Sequence, residues 1–200
     1  MLFRSRHAFT PMVMLGGLWQ QRASEWTAAG VDSRPPVFIV VCKNIKLSRL
    51  LFDWLALDSP PPGVPKSGLP DFLNSAEREN TIRVDSTVED DAWMRFTLDT
   101  VGRSDWPRDT MGRPLYPDGF VDAADKLKRP LHPPGRDVRA IISVGMLTEG
   151  WDCNTVTHIV GLRPFKSQLL CEQVVGRGLR RASYEPGADG KLPEIGRAHV

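Results

Sequence analysis

The residues best suited to chemistry lie in a basic stretch late in the chain. Positions 161–181 hold five basic residues and one acidic residue, a local charge of +4. If a helix that begins near Ser167 continues through this stretch, Gln173, Arg177 and Arg180 share one face, because they are four and three residues apart. Arginine offers a planar, permanently charged fork of donors that suits phosphate. The pattern indicates an arginine pair directed at phosphate, with a solvated basic helix end as the alternative interpretation.

Two glycines, Gly176 and Gly178, interrupt this predicted helix. Each costs roughly 1 kcal/mol of helix stability relative to alanine. The cost is easier to understand if a neighbouring group must approach the backbone closely, or if the chain leaves helical geometry here.

A second segment of interest runs from Ser143 to Asp152, directly after a predicted strand. Gly150 permits a tight turn, and Asp152 is then placed to accept a hydrogen bond from a hydroxyl or to face a cation. Taken alone, a Gly-x-Asp turn is more typical of structure than of function.

The elements that must position these segments have an α/β pattern. The unbroken apolar run at 37–42 predicts a strand buried on both faces, and the spacing of leucines at 47–55 predicts a helix after it. Further strands are predicted at 81–84, 138–144 and 157–161, and further helices at 18–26, 88–101 and 123–128. We therefore expect one open, mostly parallel sheet with a proline-rich insertion at about 58–135. Ligands of such sheets bind beyond the carboxyl ends of the strands.

Together the two segments resemble motifs V and VI of superfamily 2 helicases and translocases. The sequence is similar here to the restriction (Res) subunit of type III restriction endonucleases. The similar stretches are Thr148-Glu149-Gly150-Trp151-Asp152 and Gln173-x-x-Gly176-Arg177-Gly178-x-Arg180. The strand at 37–42 lies where motif IV would be. The resemblance is strong over 138–183, modest over 37–57 and only general across the insertion.

This resemblance implies a second RecA-like domain, which closes over ATP and Mg²⁺ held mainly by a first domain that this sequence lacks. Motif VI arginines act on the γ-phosphate in that family, and the resemblance carries this catalytic role to Arg177 and Arg180. Motif V links the nucleotide to the nucleic-acid backbone. The residues expected to bind the cofactor are Gly150 and Asp152 of motif V, with Gln173 and Gly176 of motif VI.

The resemblance also implies partners and leaves alternatives. We expect DNA, the first RecA-like domain and a modification methyltransferase subunit as partners. The sequence holds no GxxxxGK[ST] phosphate loop and no acidic motif II, so it is not expected to hydrolyse ATP by itself. A general or DNA-repair helicase of the same superfamily, and a nucleic-acid-binding module that needs no ATP, remain the other interpretations.

The amino-acid composition limits the classes of protein to which this chain can belong. The 200 residues carry a net charge of +2 and 41% hydrophobic residues, which is typical of a globular domain and too nearly neutral to argue DNA binding from bulk charge. No apolar run is long enough to cross a membrane. The three cysteines form no close C-x-x-C pair, so we predict no metal site and expect a reducing, cytoplasmic setting.

The two ends of the sequence have an unexpected relationship. Residues 2–5 and 194–197 can be translated from opposite strands of one nucleotide string that resembles a sequencing-library adapter. We therefore expect residues 1–5 and 194–200 to be adapter-derived. The segment 6–34 is then predicted to be a connector, and 35–193 the second RecA-like domain.

Overall fold

The computed structural model describes residues 2–30, 32–86, 91–144, 151 and 153–162. Helices and strands alternate along these ranges. In chain order they are α1 (Leu2–Ala29), β1 (Val37–Cys42), α2 (Ile45–Ala56), a 3-10 helix (Pro70–Phe72), β2 (Thr81–Val84), α3 (Ala92–Thr100), α4 (Phe120–Lys126), β3 (Ala140–Val144) and β4 (Val156–Leu162).

The strands form one sheet in the order β2-β3-β1-β4, and every pairing in it is parallel. The predicted α/β fold with an open, mostly parallel sheet is confirmed. Strand β1 lies in the centre and pairs Val40 with Ile142 of β3 and Val160 of β4. The described helices lack the combination of length and apolar character that a bilayer crossing needs.

Strand β1 is buried on both faces, as its unbroken apolar run predicts. All six of its residues are buried. Phe38 and Val40 contribute to a cluster shared with α1 and α2, whereas Ile39 and Val41 contribute to a cluster on the opposite face shared with α3. The strand therefore joins the two halves of the core.

Helix α2 follows β1 after a short loop, in agreement with the predicted strand-to-helix step. Asn44 caps the helix by accepting a hydrogen bond from the Leu47 N–H at 2.9 Å. Leu51, Trp54 and Leu55 recur at helical spacing and are fully buried. The cap and the apolar stripe together fix where the helix begins and how it lies on the sheet.

Helix α1 is longer than the helix predicted at 18–26 and packs on the same face as α2. Its side chains Phe9, Met12 and Trp19 are buried in that cluster. The Phe9 ring lies 4.7 Å from the Trp54 ring, and the Trp19 ring lies 4.7 Å from the Phe72 ring. The segment 6–34 thus contributes large side chains to the core.

The proline-rich segment carries ordered structure of its own. Strand β2 matches the strand predicted at 81–84 and pairs with β3 at the edge of the sheet. Helix α4 begins at Phe120, three residues before the predicted start, because Phe120 is fully buried in an aromatic cluster. The rings packed around Phe120 are those of Trp93, Phe96, Trp106 and Tyr116.

Two glycines give opposite predictions for stability. A Cβ at Gly135 would lie 2.2 Å from the Thr97 carbonyl oxygen and 2.5 Å from the Val101 nitrogen, whereas a Cβ at Gly17 in α1 would meet nothing within 4 Å. Gly135→Ala should lower the free energy of unfolding by about 1–3 kcal/mol or more through overpacking. Gly17→Ala should raise it by about 0.5–1 kcal/mol through helix propensity. Urea unfolding of both variants measures this, and equal effects would contradict the packing described.

Candidate functional site at the carboxyl edge of the sheet

The described residues that follow β1 and β3 in the chain pack on opposite faces of the sheet. The chain leaves β1 through α2, which packs on the face of Phe38 and Val40. The chain that leaves β3 returns through Trp151 and Cys153, which pack on the other face with Ile39. Because β1 and β3 are neighbours, a crevice is expected between their carboxyl ends, where open parallel sheets bind ligands.

Three strands end at the same level beside this crevice. Cys42, the last residue of β1, is in register with Val144 of β3 and Leu162 of β4. The segments 145–150 and 163–200 follow directly from those two ends along the chain. The residues predicted from sequence fall in or next to these segments and lie outside the described residues; they are Gly150, Asp152, Gln173, Gly176, Arg177 and Arg180.

The loop from β1 to α2 lies at the carboxyl end of β1, where the crevice is expected. Lys43 and Asn44 are exposed there, and Asn44 begins the twelve-residue helix α2. A helix N-terminus carries partial positive charge, to which Lys43 adds a full one. The edge therefore favours an anion over a cation.

A buried ion pair lies at the end of β2. The Arg83 Nη1 atom lies 3.0 Å from Oδ2 of Asp85, whose side chain has no exposed surface. The hydroxyl of Ser48 in α2 lies 3.4 Å from the same carboxylate oxygen. The pair joins the end of the edge strand to α2. Asp85 is not among the residues predicted from the motifs, although its place directly after a strand is a signal.

Trp151 marks the return of the chain from β3. Its ring is buried, and its Nε1–H donates to the Leu98 carbonyl of α3 at 2.9 Å. Cys153 is also buried, with its Sγ 3.2 Å from the Thr155 hydroxyl. The residues on both sides of Asp152 are therefore fixed against the α3 face of the sheet.

Arg34 ties the end of this connection to the rest of the fold. Its Nη1 donates to the Asn154 Oδ1 at 2.9 Å and to the Gly102 carbonyl at 2.8 Å. Its Nε and Nη2 donate to the two carboxylate oxygens of Asp32, at 2.8 Å and 2.5 Å. One guanidinium thus joins three separate stretches of chain.

Asp32 and Arg34 each stabilise the charged form of the other. Burial by itself raises the pKa of Asp32, but hydrogen bonds from the side chain and backbone of Arg34 outweigh burial and hold that pKa below its ordinary 3.8. The hydrogen bond from Arg34 to Asp32 raises the pKa of Arg34 in turn, against the effect of its burial. Both groups are ionised at neutral pH.

The described residues offer little for metal or thiol chemistry. No three His, Cys, Asp or Glu side chains within them lie close enough together to hold a metal ion. Burial raises the pKa of the Cys42 thiol to about 12, so it stays protonated and unreactive at neutral pH. Cys42 is a packing residue at the end of β1.

No family model, curated protein or solved structure matches this chain.

Acid should weaken the link between Asp32 and Arg34. Because the folded pKa of Asp32 lies below the unfolded value, the ionised carboxylate stabilises the fold above about pH 4, and this contribution is lost as pH falls through the folded pKa. The difference in free energy of unfolding between wild type and Asp32→Asn should shrink between pH 6 and pH 3, as measured by urea titration. In an Arg34→Gln background the same difference should no longer shrink as pH falls, because the burial that raises the pKa of Asp32 is then opposed mainly by the backbone hydrogen bond. An unchanged pH dependence in that background would contradict the assignment.

Proposed function

We propose that this chain is the second RecA-like domain of a DNA-dependent ATPase motor, of the kind found in the Res subunit of type III restriction endonucleases. One observation carries the proposal. The two segments that resemble motifs V and VI follow β3 and β4, and the ends of those strands flank β1 at one edge of a parallel sheet. Motif order and sheet topology thus agree on where a nucleotide would meet this domain.

The described edge fits a polyphosphate better than it fits a metal. Lys43 and the N-terminus of α2 supply positive charge at the carboxyl end of β1, and the buried carboxylate of Asp85, at the end of β2, is already paired with Arg83. The basic segment at 161–181 begins at the end of β4 along the chain. In the proposed motor, the first domain would hold Mg²⁺, which would supply further positive charge to the nucleotide phosphates.

The roles of the residues follow from the chemistry of phosphoryl transfer. Transfer of the γ-phosphoryl group to water is accelerated mainly by positioning and by neutralisation of charge. Arg177 and Arg180 would supply guanidinium groups to the γ-phosphate oxygens in the closed state. Gln173 and Gly176 would line the nucleotide beside them. Asp152 and Gly150 would connect the nucleotide to bound DNA.

Variants of Arg177 and Arg180 distinguish this proposal from the alternative in which both arginines lie at a solvated helix end. In the parent protein with its first domain, Arg177→Ala or Arg180→Ala should lower DNA-stimulated ATPase turnover by about 10³–10⁵-fold with little change in KM, because the contact forms as charge develops. Lysine should restore little, since a point charge does not reproduce the planar fork.

Arg181→Ala is the matched control, with the same charge change one residue further along. If all three alanine variants turn over at similar rates, the arginine-finger assignment is wrong. If the parent protein has no phosphate loop upstream and hydrolyses no ATP, the chain is instead a nucleic-acid-binding module. An Asp and Glu-x-Lys nuclease constellation downstream would distinguish a restriction enzyme from a repair helicase.

DNA binding by this chain should be weak and sensitive to salt. The local charge of +4 at 161–181 predicts contacts mainly to phosphates, so the logarithm of the affinity should fall linearly with the logarithm of the salt concentration. Arg163→Gln should reduce that slope by about one. Arg113→Gln, a charge change at an exposed position outside the segment, should leave it unchanged. Fluorescence anisotropy with a labelled duplex measures both, and binding that does not depend on salt would contradict the proposal.

A further inference from the structure

Helix α1 has a second apolar side, opposite the one that packs in the core. Val13, Met14 and Leu18 are 39%, 67% and 47% exposed. With 3.6 residues per turn, they lie across the helix from Met12 and Trp19, which are buried. The exposed positions on this side follow one another at helical spacing and are together named the outer stripe: Thr10, Val13, Met14, Gly17, Leu18 and Gln21.

The outer stripe carries no charge. Residues 8–21 contain no Asp, Glu, Lys or Arg, whereas the exposed positions of α2 include Lys46 and Arg49. Single exposed apolar side chains are ordinary on a protein surface, but a contiguous apolar patch marks an interaction site. A helix that is apolar on both sides is typical of one that is covered on both sides. We therefore expect the outer stripe to be covered in the functional protein.

The size of the outer stripe favours a partner that belongs to the same chain. A stable complex between separate proteins uses about 20–30 residues on each side, and the stripe offers far fewer. A second copy of the chain would therefore bind to it weakly. A domain joined by a short connection is held at an effective concentration of about millimolar, so a small apolar patch is enough to keep it in place.

We propose that the outer stripe of α1 is the docking surface for the first RecA-like domain of the parent protein. The inference rests on the proposed function, in which that domain comes before α1 in the chain. Because α1 is the first element of the second domain, the first domain is joined to the same helix that carries the stripe. Helix α1 then packs on one domain through its buried side and on the other through the outer stripe. This double packing explains why the helix is apolar on both sides.

Two exposed methionines serve as matched probes of this surface. Met14 lies in the outer stripe and Met111 lies in the proline-rich insertion, with 67% and 77% exposure. Hydrogen peroxide transfers one oxygen atom to an exposed thioether, which gives the sulfoxide and water. In this chain alone the two oxidation rates should agree within about three-fold, whereas in the parent protein Met14 should react about ten-fold more slowly than in this chain. Peptide mass spectrometry measures both rates, with the buried Met12 as the reference for a covered side chain.

Two outcomes of the oxidation experiment would overturn the proposal. An unchanged rate for Met14 in the parent protein means that the outer stripe stays open to water there. Slow oxidation of Met14 in this chain alone, becoming faster on dilution, means that a second copy covers the stripe.

Cross-linking identifies the segment that covers the stripe. Leu18→Cys places a thiol in the outer stripe, and Leu115→Cys places one at a position of similar exposure in the insertion, 47% against 52%. Cys42 and Cys153 are buried and do not compete for the reagent. In the parent protein, a short thiol-to-amine cross-linker should join position 18, but not position 115, to residues that precede α1.

The cross-linking result separates this inference from the proposed function. A parent protein that hydrolyses ATP, but forms no cross-link from position 18 to the preceding domain, would reject the docking surface alone. A parent protein that hydrolyses no ATP would reject the proposed function, and with it this inference.

Discussion

Strand β1 lies between the parallel strands β3 and β4 and is buried between two apolar clusters, one on each face of the sheet. The positions of the other elements follow from this burial on all sides. A strand with no face open to water must be covered by helices on both sides, since parallel sheets bury both faces. Helices α1 and α2 cover one side with large buried side chains, and α3 covers the other with its partly buried Met94 and Leu98. The carboxyl end of β1 is then the place where the covering elements separate, and the candidate site lies there.

Sequence patterns anticipate the elements whose signal is local. The run at 37–42 predicts β1 because six consecutive apolar residues suit burial on both faces, and the spacing of Leu51, Trp54 and Leu55 predicts α2. Helix boundaries are predicted less well. The start of α4 is set by the burial of Phe120 among four other rings, a tertiary effect that helical periodicity does not encode. The length of α1 likewise depends on Phe9 and Met12 having a cluster to enter.

Contacts between residues that are distant in the chain cannot be predicted from such local sequence patterns. Nothing in the sequence pairs Arg34 with Asn154, or Trp151 with the carbonyl of Leu98, because backbone carbonyls leave no trace in residue types. The ion pair of Arg83 and Asp85 is closer to being predictable, since Asp85 comes two residues after Arg83, directly beyond the end of β2. The catalytic and cofactor-binding roles assigned to residues between Gly150 and Arg180 remain predictions. They rest on the motif sequences and on the positions of the ends of β3 and β4, which precede these residues in the chain.

The pairing of β1 has a consequence for how the protein is made. Its partners Ala140 in β3 and Val156 in β4 come much later in the chain than Phe38 and Val37. On the ribosome, the segment 37–42 is therefore translated long before anything can pair with it. A β-prone apolar segment without charge or proline, left open in this way, is prone to aggregate. During translation, β1 must therefore be shielded from other chains before β3 and β4 have been made. Helices α1 and α2 are able to shield it, because they emerge before the rest of the sheet.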